Sequence, residues 1–534
     1  MKKVISVFLC VCLLFLLTSC HSSKNKTSAQ IIEYNLTSEP KTLDPQVADD
    51  DSARLVVMNL FEGLVRLNDK GQPTPGVATD WTVSDNYTIY SFTLRSDAQW
   101  TDGSSVTAND FAFAFRRAVS KNTASPAASE LFAIENAKEI SAGQADPSTL
   151  GIDVIDSTHL KIHLSYSDDN FFRTLASAVA MPCNQKFFNG TNGQYGCDDS
   201  QILSNGPFKF RDNYGWAHGE YLTLRANDHY HGNHAAVSGG VNLTIGGTVS
   251  DVIGEMSSGK IDASFLPSGS LQNAKKNGYN LTSFSDTVWA LSFNLSALPL
   301  TNENVRKSLI GSINRQYTLA SLPQNCKIQN DLIPDSVMLG DTSYRKLAGK
   351  NLLMKPINNS VSLLNNGLSQ LNMKSAPSLT VLCLNDPESQ KIASNLIQTW
   401  NQSLGLFLNK NTVSRDDLEN SLQNHNFQIA IAPIQPESNS PVEFLKQFTT
   451  GNTNNFISLK NSDYDGYVTS AEQSSGEDGL SYDLQAEHYL NDHAILYPFY
   501  LEDRYFASVK NVTGVIFYPY NGIVDFSGAA KVVE

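Results

Sequence analysis

A strand–helix–strand unit at residues 378–410 restricts the possible folds more than any other part of the sequence. It begins with the apolar run SLTVLCL, after which Asp386 is a predicted helix N-cap and Pro387 stands at the first helical position. Apolar residues then recur at helical spacing, and Gly405 predicts the end of the helix before a second strand. This supersecondary unit is typical of α/β proteins.

The N-terminal half is rich in strands and turns. In NYTIYSFTLRSDAQW, Tyr90, Phe92 and Leu94 alternate with polar residues, which predicts a half-buried strand. In VTANDFAFAFRRAVS, Thr107 and Asp110 have the spacing of a capping box at a helix start. With a length of 534 residues, these elements predict an α/β protein with mixed sheets, divided into two or three lobes.

The first twenty residues, MKKVISVFLCVCLLFLLTSC, have the architecture of an export signal. Two lysines precede an apolar stretch over residues 4–17 that is short for a membrane span. Residues 17–20 resemble a bacterial lipobox, in which Cys20 is acylated after a signal peptide over residues 1–19 is removed; the alternative is an ordinary signal with an incidental cysteine. Residues 20–29 would form a polar tether. The sequence therefore predicts an extracytoplasmic, lipid-anchored protein.

Four cysteines follow the predicted tether. Cys183 and Cys197 flank a turn-rich loop, and oxidising export favours a disulfide between them. Closing a loop of this size would contribute roughly 3 kcal/mol. Cys383 lies in an apolar run and is expected in the core, whereas Cys326 has no predicted role.

Charge and motif content argue against several classes of protein. The net charge of −14 includes no basic stripe, so nucleic acid is not an expected partner. No G-x-S-x-G, H-E-x-x-H, G-x-x-x-x-G-K-[ST] or G-x-G-x-x-G motif is present, so the sequence predicts neither an enzyme nor a cofactor. His229, His231 and His234 could ligate zinc or nickel, but without an evident fourth ligand we interpret this cluster as a surface turn.

An ordered series of short motifs extends along the chain beyond the tether. Those within residues 41–120 are Leu-Asp-Pro, Phe-Glu-Gly-Leu, Pro-Gly-x-Ala-x-x-Trp, Phe-x-Leu-Arg, Trp-x-Asp-Gly and Thr-Ala-x-Asp-Phe. The later segments are SNGPFKF, EYLTLRANDHYHGN, MSSGKIDASF and LSFNLSALPLTNENVRKSLIGSINR. In this order they resemble the oligopeptide- and dipeptide-binding lipoproteins of bacterial ABC importers, the class-C periplasmic binding proteins of solute-binding family 5.

The resemblance implies a class II periplasmic binding protein-like fold of cluster C, with two lobes that close on a ligand. Residues 30–60, 200–287 and 503–534 would form lobe I, residues 61–199 an inserted domain II, and residues 288–502 lobe III. The hinges would lie near residues 288 and 502. The implied protein is a monomer that binds oligopeptides, murein-derived peptides among them, and delivers them to an ABC permease without catalysis.

The segment NFQIAIAPIQPESNSPVEFLKQF, residues 426–448, includes the predicted ligand contact. By the resemblance, Glu437 stands where the family places an aspartate that binds the amino terminus of a peptide. A desolvated ammonium in a closed cleft needs a fixed counter-charge, which this side chain would supply. The alternative is a surface carboxylate in a loop. Gln435 and Asn439 are further predicted ligand-binding residues.

Other residues near the expected cleft depart from the family pattern or remain open. Asp49 and Asp51 are predicted to line it, with a solvated acidic loop as the alternative. Pro433 and Pro436 have no N–H, so ladder bonds to a peptide would be missing there. Ile431 stands where some peptide binders carry an arginine that helps to hold the ligand's carboxylate.

The sequence leaves three other functions open. A nickel- or heme-type binding protein of the same family would use the histidine cluster. A surface protein that has lost transport would account for the departures near Pro433. An extracytoplasmic hydrolase would need a nucleophile–base pair that the sequence does not reveal.

Overall fold

The structure is a computed structural model, and it describes most of the chain beyond the predicted tether. The candidate lipidation residue Cys20 and the candidate ligand contact Glu437 lie outside the described residues. Within the described part, no helix has the length and hydropathy needed to cross a membrane. The described residues are 30–68, 72–168, 170–212, 214–246, 251–267, 269–323, 325–339, 342–349, 353, 357–436, 439–518 and 523–532.

The first lobe is built on a mixed sheet. Its edge strand Ile31–Leu36 runs parallel to Gly240–Ile245, which pairs antiparallel with Tyr221–Ala226. Two short strands, Phe208–Phe210 and Trp216–Ala217, add to the far side. The helices of this lobe are Asp51–Leu60, Val252–Ser257 and Leu271–Lys276.

The inserted domain has an antiparallel sheet packed on a helix. In the strand Ile89–Leu94, Tyr90, Phe92 and Leu94 are buried, as their alternation predicts. The helix Ala108–Val119 begins with the predicted capping box, in which Thr107 N donates to Asp110 Oδ2 at 2.7 Å. The remaining strands are Val65–Leu67, Pro73–Pro75, Ala78–Val83, Ile152–Val154 and His159–His163. The short helices are Ala128–Leu131, Ala137–Ser141, Pro147–Thr149, Phe171–Leu175, Ala178–Ala180, Gln185–Gly190 and Asp199–Gln201.

The second lobe contains the strand–helix–strand unit. Leu379–Leu384 and Leu408–Val413 pair in parallel, and Asp386 caps the helix Pro387–Leu404 by accepting from Ser389 N. Gly405 ends that helix with a φ of 66°. The other helices are Glu303–Gly311, Arg315–Thr318, Tyr344–Ala348, Ser360–Gln370, Arg415–Gln423, Pro441–Lys446, Ser462–Glu472 and Gly476–Asp492.

Two long antiparallel strands, Asn280–Phe293 and Leu496–Ser508, connect the lobes; we call them the crossing strands. They pair with each other, and further strands flank them at either end. The flanking strands are Ala263–Phe265, Cys326–Ile328 and Ile429–Ile434. Small hairpins and bridges elsewhere are formed by Met338–Leu339, Thr342–Ser343, Val512–Thr513, Ile516–Tyr518, Ile523–Asp525 and Ala530–Lys531.

The hydrophobic core separates in the middle of the crossing strands. Phe284 and Phe506 belong to a cluster that the first lobe shares with the inserted domain. Trp289 and Tyr500, a few residues away on the same strands, belong to the cluster of the second lobe. The pairing register shifts between Ser285 and Thr287, in the interval between the two cores.

The end of the chain completes the first core. Asn59 Nδ2 donates to the carbonyl of Val524 at 2.7 Å, and Asn59 Oδ1 accepts from Phe526 N at 3.0 Å. Asp525 forms a buried ion pair with Arg66. Residues separated by more than four hundred positions therefore lie in one packed unit.

The predicted disulfide between Cys183 and Cys197 is wrong, because both residues are free thiols. Cys183 is buried with Ala114 and Tyr195, whereas Cys197 is exposed. The loop between them is held by aromatic packing, in which the rings of Phe187 and Phe188 contact Tyr195 at centroid distances of 6.2 and 5.5 Å. Cys383 is buried, as expected.

We expect native thiol labelling to distinguish these cysteines. Cys197 should react within the folded protein at about pH 8, whereas burial raises the pKa of Cys183 to about 12 and that of Cys383 to about 11. Cys183 and Cys383 should therefore label only after denaturation. Peptide mapping after alkylation without reductant measures which of these thiols is labelled, with Cys197→Ser as the control. Recovery of a peptide pair cross-linked through Cys183 and Cys197 would contradict the assignment.

Candidate functional site

A cavity of about 1640 Å³ lies between the lobes. The first lobe lines it with residues 34–37 and part of the helix Asp51–Leu60, and the inserted domain with residues 173–179 except Leu175. The second lobe contributes residues around Gln435 and Asn439. The crossing strands form part of the wall through Ser283, Phe284, Ser285, Leu501 and Arg504.

On the first-lobe side, the wall is an edge strand. Ile31–Leu36 has its partner strand on one side only. On its other side, Glu33 N donates to Asp262 Oδ2 at 2.9 Å and Glu33 O accepts from Asp262 N at 2.8 Å. Farther along the same strand, Tyr34, Asn35 and Leu36 line the cavity. The end of this edge strand is therefore part of the cavity wall.

On the second-lobe side, the strand Ile429–Ile434 ends at the cavity. It pairs with Asn280–Phe293 along its length, but with Leu379–Leu384 only at Ile429 and Ala430. Pro433 lies opposite Trp289 within the sheet, and Pro436 lies in the cavity wall. Of the two prolines, Pro436 is the one among the described residues that line the cavity, and it has no N–H to donate there.

The structure brings together three of the predicted ligand-binding residues. Gln435, Asn439 and Asp51 all line the cavity. Asp51 is exposed and pairs with Arg54 at 2.6 Å. Asp49 is not among the described residues that line the cavity; it pairs instead with Lys41 at 3.2 Å. The prediction for Asp49 therefore finds no support in the geometry.

Contacts between the inserted domain and the second lobe close one end of the cavity. The guanidinium of Arg173 donates through Nη1 to the backbone carbonyl of Asn439. Asn439 Oδ1 accepts from Met338 N at 2.7 Å, which fixes this segment within its own lobe. The hydroxyl groups of Ser167 and Ser475 lie 2.8 Å apart across the same gap. No local sequence pattern marks Arg173, because its partner is a backbone atom 266 positions away.

Carboxylates are concentrated near this closed end. Asp168, Glu443 and Glu472 line the cavity there, with Lys446 beside them. Lys446 Nζ lies 2.7 Å from Glu472 and 3.6 Å from Glu443. Burial opposes the charge of Lys446, but the two glutamates outweigh burial and raise its pKa above the usual value.

The three histidines have different surroundings. His229 Nδ1 lies 3.4 Å from Gln99 Oε1, and His231 is exposed. Burial, followed by the charge of Arg66, lowers the pKa of His234. Over the ranges that the structure describes, no three His, Cys, Asp or Glu side chains are grouped to hold a metal ion. The cluster is part of a turn, as the preferred interpretation of the sequence has it.

Two lobes joined by crossing strands around a central cavity define a solute-binding protein. The family model of the bacterial extracellular solute-binding proteins, family 5 (middle part), matches residues 72–456. This chain belongs to that family, which confirms the predicted family and fold class.

Curated relatives and solved structures agree over nearly the whole chain. The dipeptide-binding protein DppE of Bacillus subtilis is 25% identical over 95% of this chain and 93% of its own. The periplasmic murein peptide-binding protein MppA of Escherichia coli is 27% identical over 94% of each. The structure of the E. coli murein tripeptide binding protein MppA has a TM-score of 0.73 at 25% identity, covering 95% of this chain and 99% of that chain. The structure of Listeria monocytogenes OppA bound to peptide has a TM-score of 0.72 at 23% identity, and the match covers 95% of this chain and 100% of that chain.

We expect Arg173→Gln to favour an open arrangement of the lobes. A hydrogen bond from a charged donor contributes about 1.5–3 kcal/mol, so closure should become roughly ten- to a hundredfold less favourable. Small-angle X-ray scattering should give a larger radius of gyration for this variant. Arg116→Gln is the matched control, because Arg116 donates to the Ile152 carbonyl at 3.4 Å within the inserted domain. Identical scattering from the two variants would contradict the closing role of Arg173.

Proposed function

We propose that the protein is the peptide-binding component of a bacterial ABC importer. The observation that carries this proposal is the cavity between an edge strand of the first lobe and a strand end of the second. An extended peptide can add to such strands through its main chain, which gives affinity that depends little on its side chains. Relatives of this chain include dipeptide-, oligopeptide- and murein peptide-binding proteins, which supports peptides as the ligand class.

Ligand binding would stabilise the closed arrangement because the ligand contacts both lobes. Only a difference in affinity between open and closed forms can shift their populations. We propose residues 30–60, 200–287 and 503–534 as lobe I, 61–199 as domain II and 288–502 as lobe III. The crossing strands would act as the hinge, and the permease would recognise the closed form.

Glu437 is the proposed contact for the amino terminus of the peptide. It lies in the sequence between Pro436 and Asn439, which both line the cavity wall. A carboxylate on this segment would meet the ammonium of a ligand where water is excluded, and a charged pair in such a place is strongly stabilised. Gln435, Asn439 and Asp51 would contact the same ligand.

The N-terminal sequence supports attachment to a membrane. Export over residues 1–19 and acylation of Cys20 would anchor the protein, and residues 20–29 would hold the lobes away from the lipid surface. The family is extracellular by its description. We propose that the anchored monomer delivers its ligand to a permease in the same membrane and catalyses no reaction.

We expect peptides with a free amino terminus to bind, and their N-acetylated forms to bind much more weakly. Removing one partner of a buried charge pair costs about 2–5 kcal/mol, so acetylation should weaken binding at least about thirtyfold. Isothermal titration calorimetry with short alanine peptides and a murein tripeptide measures this effect. In Glu437→Gln the preference should disappear.

The neighbouring variant Ser438→Ala is the control and should keep the preference for free amines. Equal affinity for acetylated and free peptides in the natural protein would remove the role proposed for Glu437. A lack of binding to every peptide would contradict the proposed function itself.

A further inference from the structure

Arg504 is a cation in the cavity wall that the family resemblance does not explain. It lies on the second crossing strand, opposite Phe284, in the interval between the two hydrophobic cores. Its guanidinium lies 4.9 Å from the ring centroid of Phe284, and its side chain is 26% exposed. Ile431, where some peptide binders carry a carboxylate-binding arginine, is buried in the sheet.

The buried carboxylate of Asp286 fixes the orientation of Arg504. Asp286 is the extra residue at the register shift between Ser285 and Thr287, and its side chain is 1% exposed. Arg504 Nε donates to Asp286 Oδ1 at 3.1 Å, and Nη2 donates to Oδ2 at 2.6 Å. This two-point contact holds one edge of the planar guanidinium. A bulge is a common means of redirecting a side chain at a binding site.

The remaining edge of the guanidinium is available to a ligand. Arg504 Nη1 makes no hydrogen bond with the residues that the structure describes, and Arg504 is part of the cavity lining. An arginine held on one edge by a carboxylate can bind a second carboxylate on another. The same chain does so elsewhere, since Arg345 lies 2.6 Å from Glu487 and 3.7 Å from Asp331.

The cavity wall contains a second cation besides Arg504. Lys327 also lines the cavity, with its Nζ 3.3 Å from Asp503 and its side chain 57% exposed. Asp335 also lines the cavity, but within the described part of the chain the ion pair of Arg504 is with Asp286. Two cations therefore lie on the hinge side of the cavity, whereas Asp168, Glu443 and Glu472 lie toward its closed end.

Asp286 also connects this cation with the segment proposed to bind the ligand's amine. Gln435 Nε2 donates to Asp286 Oδ2 at 3.2 Å, and Gln435 is two residues before Glu437. One buried carboxylate thus accepts from both Arg504 and Gln435. On the proposed role of Glu437, only ligands of matching length would reach both charges, because an extended chain spans at most about 3.3–3.6 Å per residue.

We propose that Arg504, positioned by Asp286, binds the carboxylate of the ligand, and that the site selects short peptides with both termini free. This inference rests on the proposed function. It assigns to a crossing strand the contact that the arginine absent at position 431 would make. The selected peptide length is the one at which the carboxyl terminus reaches Arg504 while the amino terminus is bound by Glu437, as proposed.

Calorimetry with trialanine, tetraalanine and pentaalanine, each as the free acid and as the carboxyl-terminal amide, tests the proposal. At one length the acid should bind at least about tenfold more tightly than the amide, as expected for a charge-assisted pair. Because Arg504→Gln alone would leave a buried, unpaired Asp286, the test variant is the double variant D286N/R504Q. In that variant the ratio of acid to amide affinity should fall to about twofold or less.

Two further variants separate positioning from folding. Arg504→Lys keeps the charge without the planar fork and should retain part of the acid preference. Arg415→Gln removes a cation of the same region that pairs with Glu502 at 3.0 Å, and Arg415 is not among the described residues that line the cavity. It should leave the ratio unchanged.

An acid-to-amide ratio near one at every length in the natural protein would overturn the proposal. A ratio in D286N/R504Q equal to that of the natural protein would overturn it as well. If some peptides bind and only the amide effect is missing, the proposed function stands and Arg504 is not the carboxylate contact. If no peptide binds in any form, the proposed function fails, and this inference with it.

Discussion

The pairing of the two crossing strands is the constraint on which the rest of the structure depends. One end of this ribbon is fixed in the core shared by the first lobe and the inserted domain, and the other in the core of the second lobe. The pairing register of the ribbon is interrupted between Ser285 and Ala290. On the proposed function, relative motion of the lobes would be concentrated at this interruption, and their closure would change the width of the cavity.

The binding groups proposed above follow from this arrangement. Residues around Gln435 come from the second lobe, Arg504 from the ribbon itself, and Arg173 from the inserted domain. Each of these elements presents backbone or charged groups to the cavity. On the proposed function, few of their contacts would depend on the side chains of a ligand. On the proposed function, selectivity would therefore reside in the spacing of the charges more than in the shape of side-chain pockets.

Local sequence patterns correctly predicted the helix starts and ends that depend on interactions between residues close in sequence. The capping box at Thr107, the N-cap at Asp386 and the terminating Gly405 lie within a few residues of the groups that they satisfy. The Asp286–Arg504 pair joins positions 218 residues apart, and no local pattern marks either residue. The disulfide prediction failed for a related reason: spacing shows that two cysteines can meet, but it does not show that Cys183 is turned into the core.

The position of the last strand segments has a consequence for biosynthesis. Asn59, near the beginning of the chain, hydrogen-bonds over a long sequence distance with Val524 and Phe526. The first lobe therefore cannot finish assembling until residues 524–526 have been synthesised. Contacts between residues so far apart in sequence slow folding. On the proposed function, an exported chain would gain from that delay, because it would cross a narrow translocation pore before it becomes rigid.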